Sequence, residues 1–165
     1  MNNSYESLCV IYDRADARIK ATLPATIKPD HKVRLRPLIR SLNENVAVVV
    51  LNYTSQVLNG GHQQWVDNDY LVDDHEDLLA VLTMIGGPYS LKVIENVNAV
   101  LRVTGDELCM PDMEDEGDYD DPFDEIDSKF YKYDKEFCDE VYAWIRSTEV
   151  ATVKALMSAD GVSPL

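Results

Sequence analysis

The stretch "VAVVVLN", Val46 to Asn52, can be read in two ways, and the fold turns on which is right. Taken alone it is a β-branched run of the length of a buried strand. Its flanks decide otherwise. Leu35, Leu38 and Leu42 precede it, and Val46, Val49, Tyr53 and Val57 carry the same three-to-four-residue period through and beyond it. That is the stripe of a buried helix face. A helix is therefore predicted from about Val33 to Asn59-Gly60-Gly61, where glycine and asparagine support a left-handed cap.

The same period recurs on both sides. Tyr5, Leu8, Cys9, Tyr12, Ala15 and Ile19 form one stripe, and the two prolines of "LPATIKPD" end it. Downstream, Asp73, Asp74, Glu76 and Asp77 open a helix that packs Leu78, Leu79, Leu82 and Ile85 and stops at Gly86-Gly87-Pro88. Another spans about Ser90 to Val103, with Val93, Ile94, Val97, Val100 and Leu101 apolar. Three further helical patterns lie near Ile126–Tyr131, Lys135–Arg146 and Glu149–Ala159, with Gly161 as a final cap. The expectation is an all-α single compact domain over residues 1–165, of about seven to eight helices, with an acidic loop at 106–125.

The charge is distributed unevenly. The chain of 165 residues carries a formal net charge of −15. Residues 1–40 hold eight basic and four acidic residues; residues 41–165 hold seven basic and twenty-six acidic. A body this negative repels phosphate, so neither direct nucleic-acid binding nor an anionic membrane surface is expected. Basic proteins are the natural partners. No apolar run reaches the roughly 18 residues of a membrane span. The N-terminal "MNNSYESLCV" has no basic n-region or apolar core, so no signal peptide is read and a cytoplasmic location is expected. Cys9, Cys109 and Cys138 are expected to be reduced thiols. His31, His62 and His75 are scattered singly, so no zinc site is expected.

The acids concentrate in "DMEDEGDYDDPFDEID", Asp112 to Asp127, where ten of sixteen residues are Asp or Glu. An EF-hand register starting at Asp112 places Gly117 correctly at position 6 but puts Phe123 at position 12, where a bidentate glutamate is needed. No apolar pocket around a single raised-pKa acid can be read, so glycoside hydrolysis is not indicated. A solvated loop is the plain alternative, because like charges repel. Tyr119, Phe123 and Ile126, interleaved with the acids, suggest instead a stretch pinned to the core. A row of carboxylates so held can imitate another polyanion and meet the cations of a basic partner. The residues expected to contact a partner are Asp112, Glu114, Asp115, Glu116, Asp118, Asp120, Asp121, Asp124 and Glu125. A second row is Asp67, Asp69, Asp73, Asp74, Glu76 and Asp77.

"NGGHQQWVDN", Asn59 to Asn68, is the most distinctive local sequence. It reads as a tight reversal in which the amides satisfy helix ends and Trp65 is an anchor. The alternative is a small-molecule or peptide-binding module with His62, Gln63 and Asn68 as contacts and the acids serving solubility. No nucleophile with its base is present, so no enzyme, cofactor or metal site is expected.

Asn59-Gly60-Gly61, His62, Gln63 or Gln64, Trp65 and Asn68, followed by Ile85-Gly86 and Ile126-Asp127-Ser128-Lys129-Phe130-Tyr131, resemble the signature of a widespread bacterial domain family over roughly residues 40–135. Where that family commonly has Phe after the glycines, this chain has His62. Acidic members of this length resemble bacterial DNA-mimic proteins. The resemblance implies a homodimer that occupies the DNA-binding face of a basic helix-turn-helix transcription regulator.

Overall fold

In the computed structural model the Val46–Asn52 stretch is helical, inside α2 (Leu42–Asp67). Its β-branched composition has a physical reason. Val46, Ala47, Val48, Val49, Val50 and Leu51 are all buried, so the helix is apolar around its whole circumference here. A helix of that kind is a core element, and packing outweighs the small χ1 cost of branching.

The structure describes residues 4–22, 42–109 and 121–159. Among them are six α-helices, one short 3-10 turn and no strand. Besides α2 these are α1 (Ser4–Thr22), α3 (Tyr70–Ile85), α4 (Pro88–Thr104), the 3-10 turn Gly105–Glu107, α5 (Asp124–Phe130) and α6 (Asp134–Ala159). The all-α expectation is met. No helix among the described residues is long and apolar enough to cross a membrane. The expected start of α2 near Val33 and the cap at Gly161 lie outside the described residues.

Three boundaries differ from the sequence reading. First, α3 begins at Tyr70, not at the acidic group, so Asp73 to Asp77 lie within its first two turns. Second, Pro88 does not merely stop α3; it is the first residue of α4, where its missing N–H costs nothing. Third, the two patterns after Lys135 are one helix. The Ser147 and Thr148 hydroxyls both donate to the Trp144 carbonyl, at 2.8 and 3.0 Å, so these polar residues continue α6 rather than break it.

The chain divides into two compact units, one of residues 1–48 and 138–165, the other Val49–Phe137. In the first, Leu8, Ala15, Val46, Ala47, Val48, Cys138, Val141 and Ile145 are buried. In the second, α3 packs on α4 and α4 on α5. Gly86 closes α3 in a left-handed conformation, its N–H bonding the Leu82 carbonyl at 2.9 Å. Val93, Val97 and Val100 give α4 its buried stripe. The core of this unit holds Tyr53, Trp65, Leu71, Leu78, Leu82, Phe123, Phe130 and Phe137, each almost fully buried. None of the three cysteines is in a disulfide; Cys138 is buried, Cys9 half-buried and Cys109 exposed.

Candidate functional site

The second unit is organised around the glycine pair. Gly60 and Gly61 leave helical geometry, so the regular helix stops at them as the sequence suggested; beyond this kink a short second helical segment continues α2 to Asp67. Gly61 takes φ 72° and ψ −175°, a conformation essentially reserved for glycine. The reversal has a second requirement, which is space. A Cβ on Gly61 would overlap Oδ2 of Asp127 and lie 3.1 Å from its Cγ. The glycine is there because a carboxylate from α5 comes right up to the kink.

That carboxylate is the centre of a buried polar chain. Asp127 Oδ1 accepts the backbone N–H of His62 at 3.0 Å and also the ring nitrogen Nδ1 of His62. An ionised carboxylate only accepts, so Nδ1 carries the proton; in the neutral ring Nε2 then accepts the Tyr53 hydroxyl, 2.8 Å away. His62 and Tyr53 have essentially no exposed surface, and Asp127 has 7%. Burial pushes the Tyr53 phenol well above its ordinary range. Aromatic rings pack around this chain. Trp65 and Phe130 meet Tyr53 edge-on at 5.1 and 5.5 Å, and Phe123 and Phe130 lie 6.5 and 6.3 Å from His62. Two further bonds tie the elements: Tyr131 Oη donates to the Val57 carbonyl at 3.0 Å, and Asn96 donates to Tyr133 Oη at 2.7 Å. Burial pushes the Tyr133 phenol up to about 12.

The amides of Asn59, Gln64 and Asn68 form a network with Gln56, one turn before the motif. Gln56 Oε1 accepts from Gln64 Nε2 at 2.9 Å and from Asn68 Nδ2 at 2.8 Å, and Gln64 Oε1 accepts from Asn59 at 3.0 Å. Trp65 is the anchor the sequence suggested. Of the residues offered as ligand contacts, His62 is inside the core and Asn68 is on the surface.

The acidic residues fall into three groups. Asp112, Glu114, Asp115, Glu116, Asp118 and Asp120 lie outside the described residues, as does the Asp73 side chain. Asp67, Asp69, Glu76, Asp124 and Glu125 are exposed on the second unit. Asp74, Asp77 and Asp121 are half-buried; Asp74 accepts from Asn52 at 3.1 Å, and Asp121 Oδ1 accepts the Phe123 N–H at 2.8 Å. Glu125 pairs with Lys129 one turn on at 2.8 Å, and that hydrogen bond and charge hold its carboxyl below the usual range. Asp106 and Glu107, in the 3-10 turn, add two more exposed acids. The acids are thus not equivalent: some face solvent and others brace the fold.

Asp127 entered the sequence reading only as part of the family-like Ile126–Tyr131 element and of the acidic run; its buried role was not assigned, because it closes a run of acids and looks like the rest. A signal was available. Phe123, Asp127 and Phe130 are spaced four and three apart, which puts Asp127 on the apolar face of a helix. Of the residues expected to pin the stretch, Phe123 and Ile126 are buried and hold its end to the core, while Tyr119 lies outside the described residues. Among the described residues no group of three or more His, Cys, Asp or Glu side chains is placed to hold a metal ion.

Comparison with curated proteins and with solved structures gives no match. A protein-family model does match, over residues 41–148, which spans the described part of α2, the kink, α3, α4, α5 and the Asp127 contact. This covers well over half of the chain, and the chain belongs to the family of DMP19-like proteins.

Proposed function

We propose that this chain is a DNA mimic that presents carboxylates in place of phosphates and blocks the DNA-binding face of a basic transcription regulator. Membership of the DMP19-like family, a family of DNA mimics, is the observation that carries this reading. The charge distribution supports it: residues 41–165 carry twenty-six acids against seven bases. So do the exposed Asp67, Asp69, Glu76, Asp124 and Glu125, which sit on helices or at their ends and not on a tail. The role is one of binding, without catalysis, and its setting is the cytoplasm. A helix-turn-helix regulator is the proposed partner, and a homodimer the proposed form, because such regulators present two recognition elements about 34–36 Å apart and two-fold pairs are the commonest oligomers.

The test is a gel-shift competition. Basic helix-turn-helix regulators retained on the immobilised chain are bound to their operator duplexes, and free chain is added. Release of the DNA is expected, more readily at low salt, with no shift of duplex by the chain alone. Asn and Gln replacements at Asp112, Glu114, Asp115, Glu116, Asp118, Asp120 and Asp121 should abolish release while leaving the helical circular dichroism intact. Retention of the operator complex at every chain concentration, or equal competition by the neutralised variant, counts against mimicry.

A further inference from the structure

Three observations converge on the start of α5. The helix has seven residues, too few to hold its own geometry in water. Its first turn carries Asp124 and Glu125 on the exposed side, while Phe123, Ile126, Asp127 and Phe130 face the core. Its polar tie to the rest of the unit runs through Asp127, 65 residues along the chain from its partner His62.

Stability alone does not explain that tie. A buried ion-pair-like contact contributes little over well-packed apolar side chains of similar size, because desolvation offsets the attraction. What a fully satisfied buried polar chain does supply is a single geometry, since any shift leaves Asp127, His62 or Tyr53 without its partner. Apolar packing tolerates sliding; a carboxylate seated against Gly61 and bonded to two N–H groups of one residue does not.

We infer that the His62–Asp127 pair is a positioning device for partner binding: it locks the start of α5, and with it the end of the acidic stretch, so that Asp121, Asp124 and Glu125 meet the partner's cations already in place. The inference rests on the mimic reading above. Asp121 belongs to the locked unit because its carboxylate holds the Phe123 N–H, and Phe123 is fully buried. Preorganisation of this kind raises affinity by lowering the ordering cost at binding. His62 and Asp127 themselves touch no partner.

The experiment uses the full chain with His62→Phe, Asp127→Asn and the milder His62→Gln, whose amide can still donate to Asp127. Hydrogen exchange is followed at native pH, and binding is measured across a salt series to the regulator retained in the competition assay, with polylysine as a shape-blind probe. In His62→Phe and Asp127→Asn the amides of Asp124–Phe130 should exchange at least about tenfold faster, with those of α3 and α4 unchanged. Regulator affinity should fall about tenfold, as expected for a few side chains that must now be ordered on binding. The slope of log affinity against log salt should stay the same, because no contacting charge is lost. Polylysine binding should be unaffected, and His62→Gln should recover part of the loss. Unchanged exchange in α5 overturns the lock. Loosened exchange with undiminished regulator affinity overturns positioning and leaves a purely structural network. If the parent chain displaces no regulator from DNA, the mimic reading fails and positioning falls with it, while the exchange data still report whether the lock exists.

Discussion

Gly61→Ala should be among the most damaging single changes in the protein, and its cost can be divided into two parts. The first is backbone. At φ 72° and ψ −175° an alanine is held in a region essentially limited to glycine, at about 1–3 kcal/mol. The second is the new methyl, which overlaps Asp127 Oδ2. The carboxylate must move, and it leaves behind the backbone N–H and the ring N–H of His62. Hydrogen bonds to a charged group contribute about 1.5–3 kcal/mol each. With partial relaxation, a total of about 4 kcal/mol or more is expected. Gly105 is an internal control. It has φ 63° and ψ −157°, the same region, but nothing lies within 4 Å of its would-be Cβ. Gly105→Ala therefore measures the backbone part alone, about 1–3 kcal/mol. Urea unfolding of parent, Gly61→Ala and Gly105→Ala gives the difference directly. In an Asp127→Ala background the extra cost of Gly61→Ala should disappear, because the two positions are coupled. If Gly61→Ala costs no more than Gly105→Ala, or keeps its full cost without Asp127, the account of the kink is wrong.

Three further outcomes are expected. Trp65→Ala should lose about 3–5 kcal/mol of unfolding free energy, because the indole is fully buried, whereas Leu91→Ala, at a side chain 52% exposed, should stay within about 0.5 kcal/mol; similar urea midpoints for the two would refute the packing described. The tyrosines should make stability fall above about pH 10: unfolded phenols ionise near 10, while Tyr53 and Tyr133 keep their protons in the fold, so the unfolded chain binds fewer protons as pH rises. The Tyr133 contribution is lost as pH rises through about 12, and Tyr53→Phe should flatten the decline in urea midpoints. Sedimentation equilibrium at micromolar concentration should give twice the 18.7 kDa chain mass; a monomer mass removes the dimer and leaves a mimic of a single half-site.

Much of the fold was legible because helical period survives local ambiguity. Val46–Asn52 looks like a strand only when cut out of its flanks. The errors have one cause, which is that the same residue type serves two geometries. Glycine after asparagine marks the break in the helix, but not whether a loop or another helical turn follows it. Nothing within residues 59–68 discloses the Asp127 carboxylate that comes up to the break. Ser147 and Thr148 look like a helix end, yet bond back to Trp144 and continue the helix. The acidic site was legible in composition and not in detail. Charge counts cannot separate Asp124, which faces water, from Asp127, which is buried three residues later. That distinction depends on which side of α5 each residue occupies, and so on contacts distant in the chain.

The two tryptophans have a use that their packing does not advertise. Trp65 belongs to the unit Val49–Phe137, shielded from water and edge-on to Tyr53; Trp144 belongs to the other unit, half-exposed on α6. Each unit therefore carries one indole, in a different solvent environment, and the chain has only two. Emission from Trp65 should lie to the blue of that from Trp144. Single Trp→Phe replacements turn the protein into a pair of optical reporters, one per unit. Denaturation followed at each wavelength then reveals whether the units melt together or in succession, with no label attached.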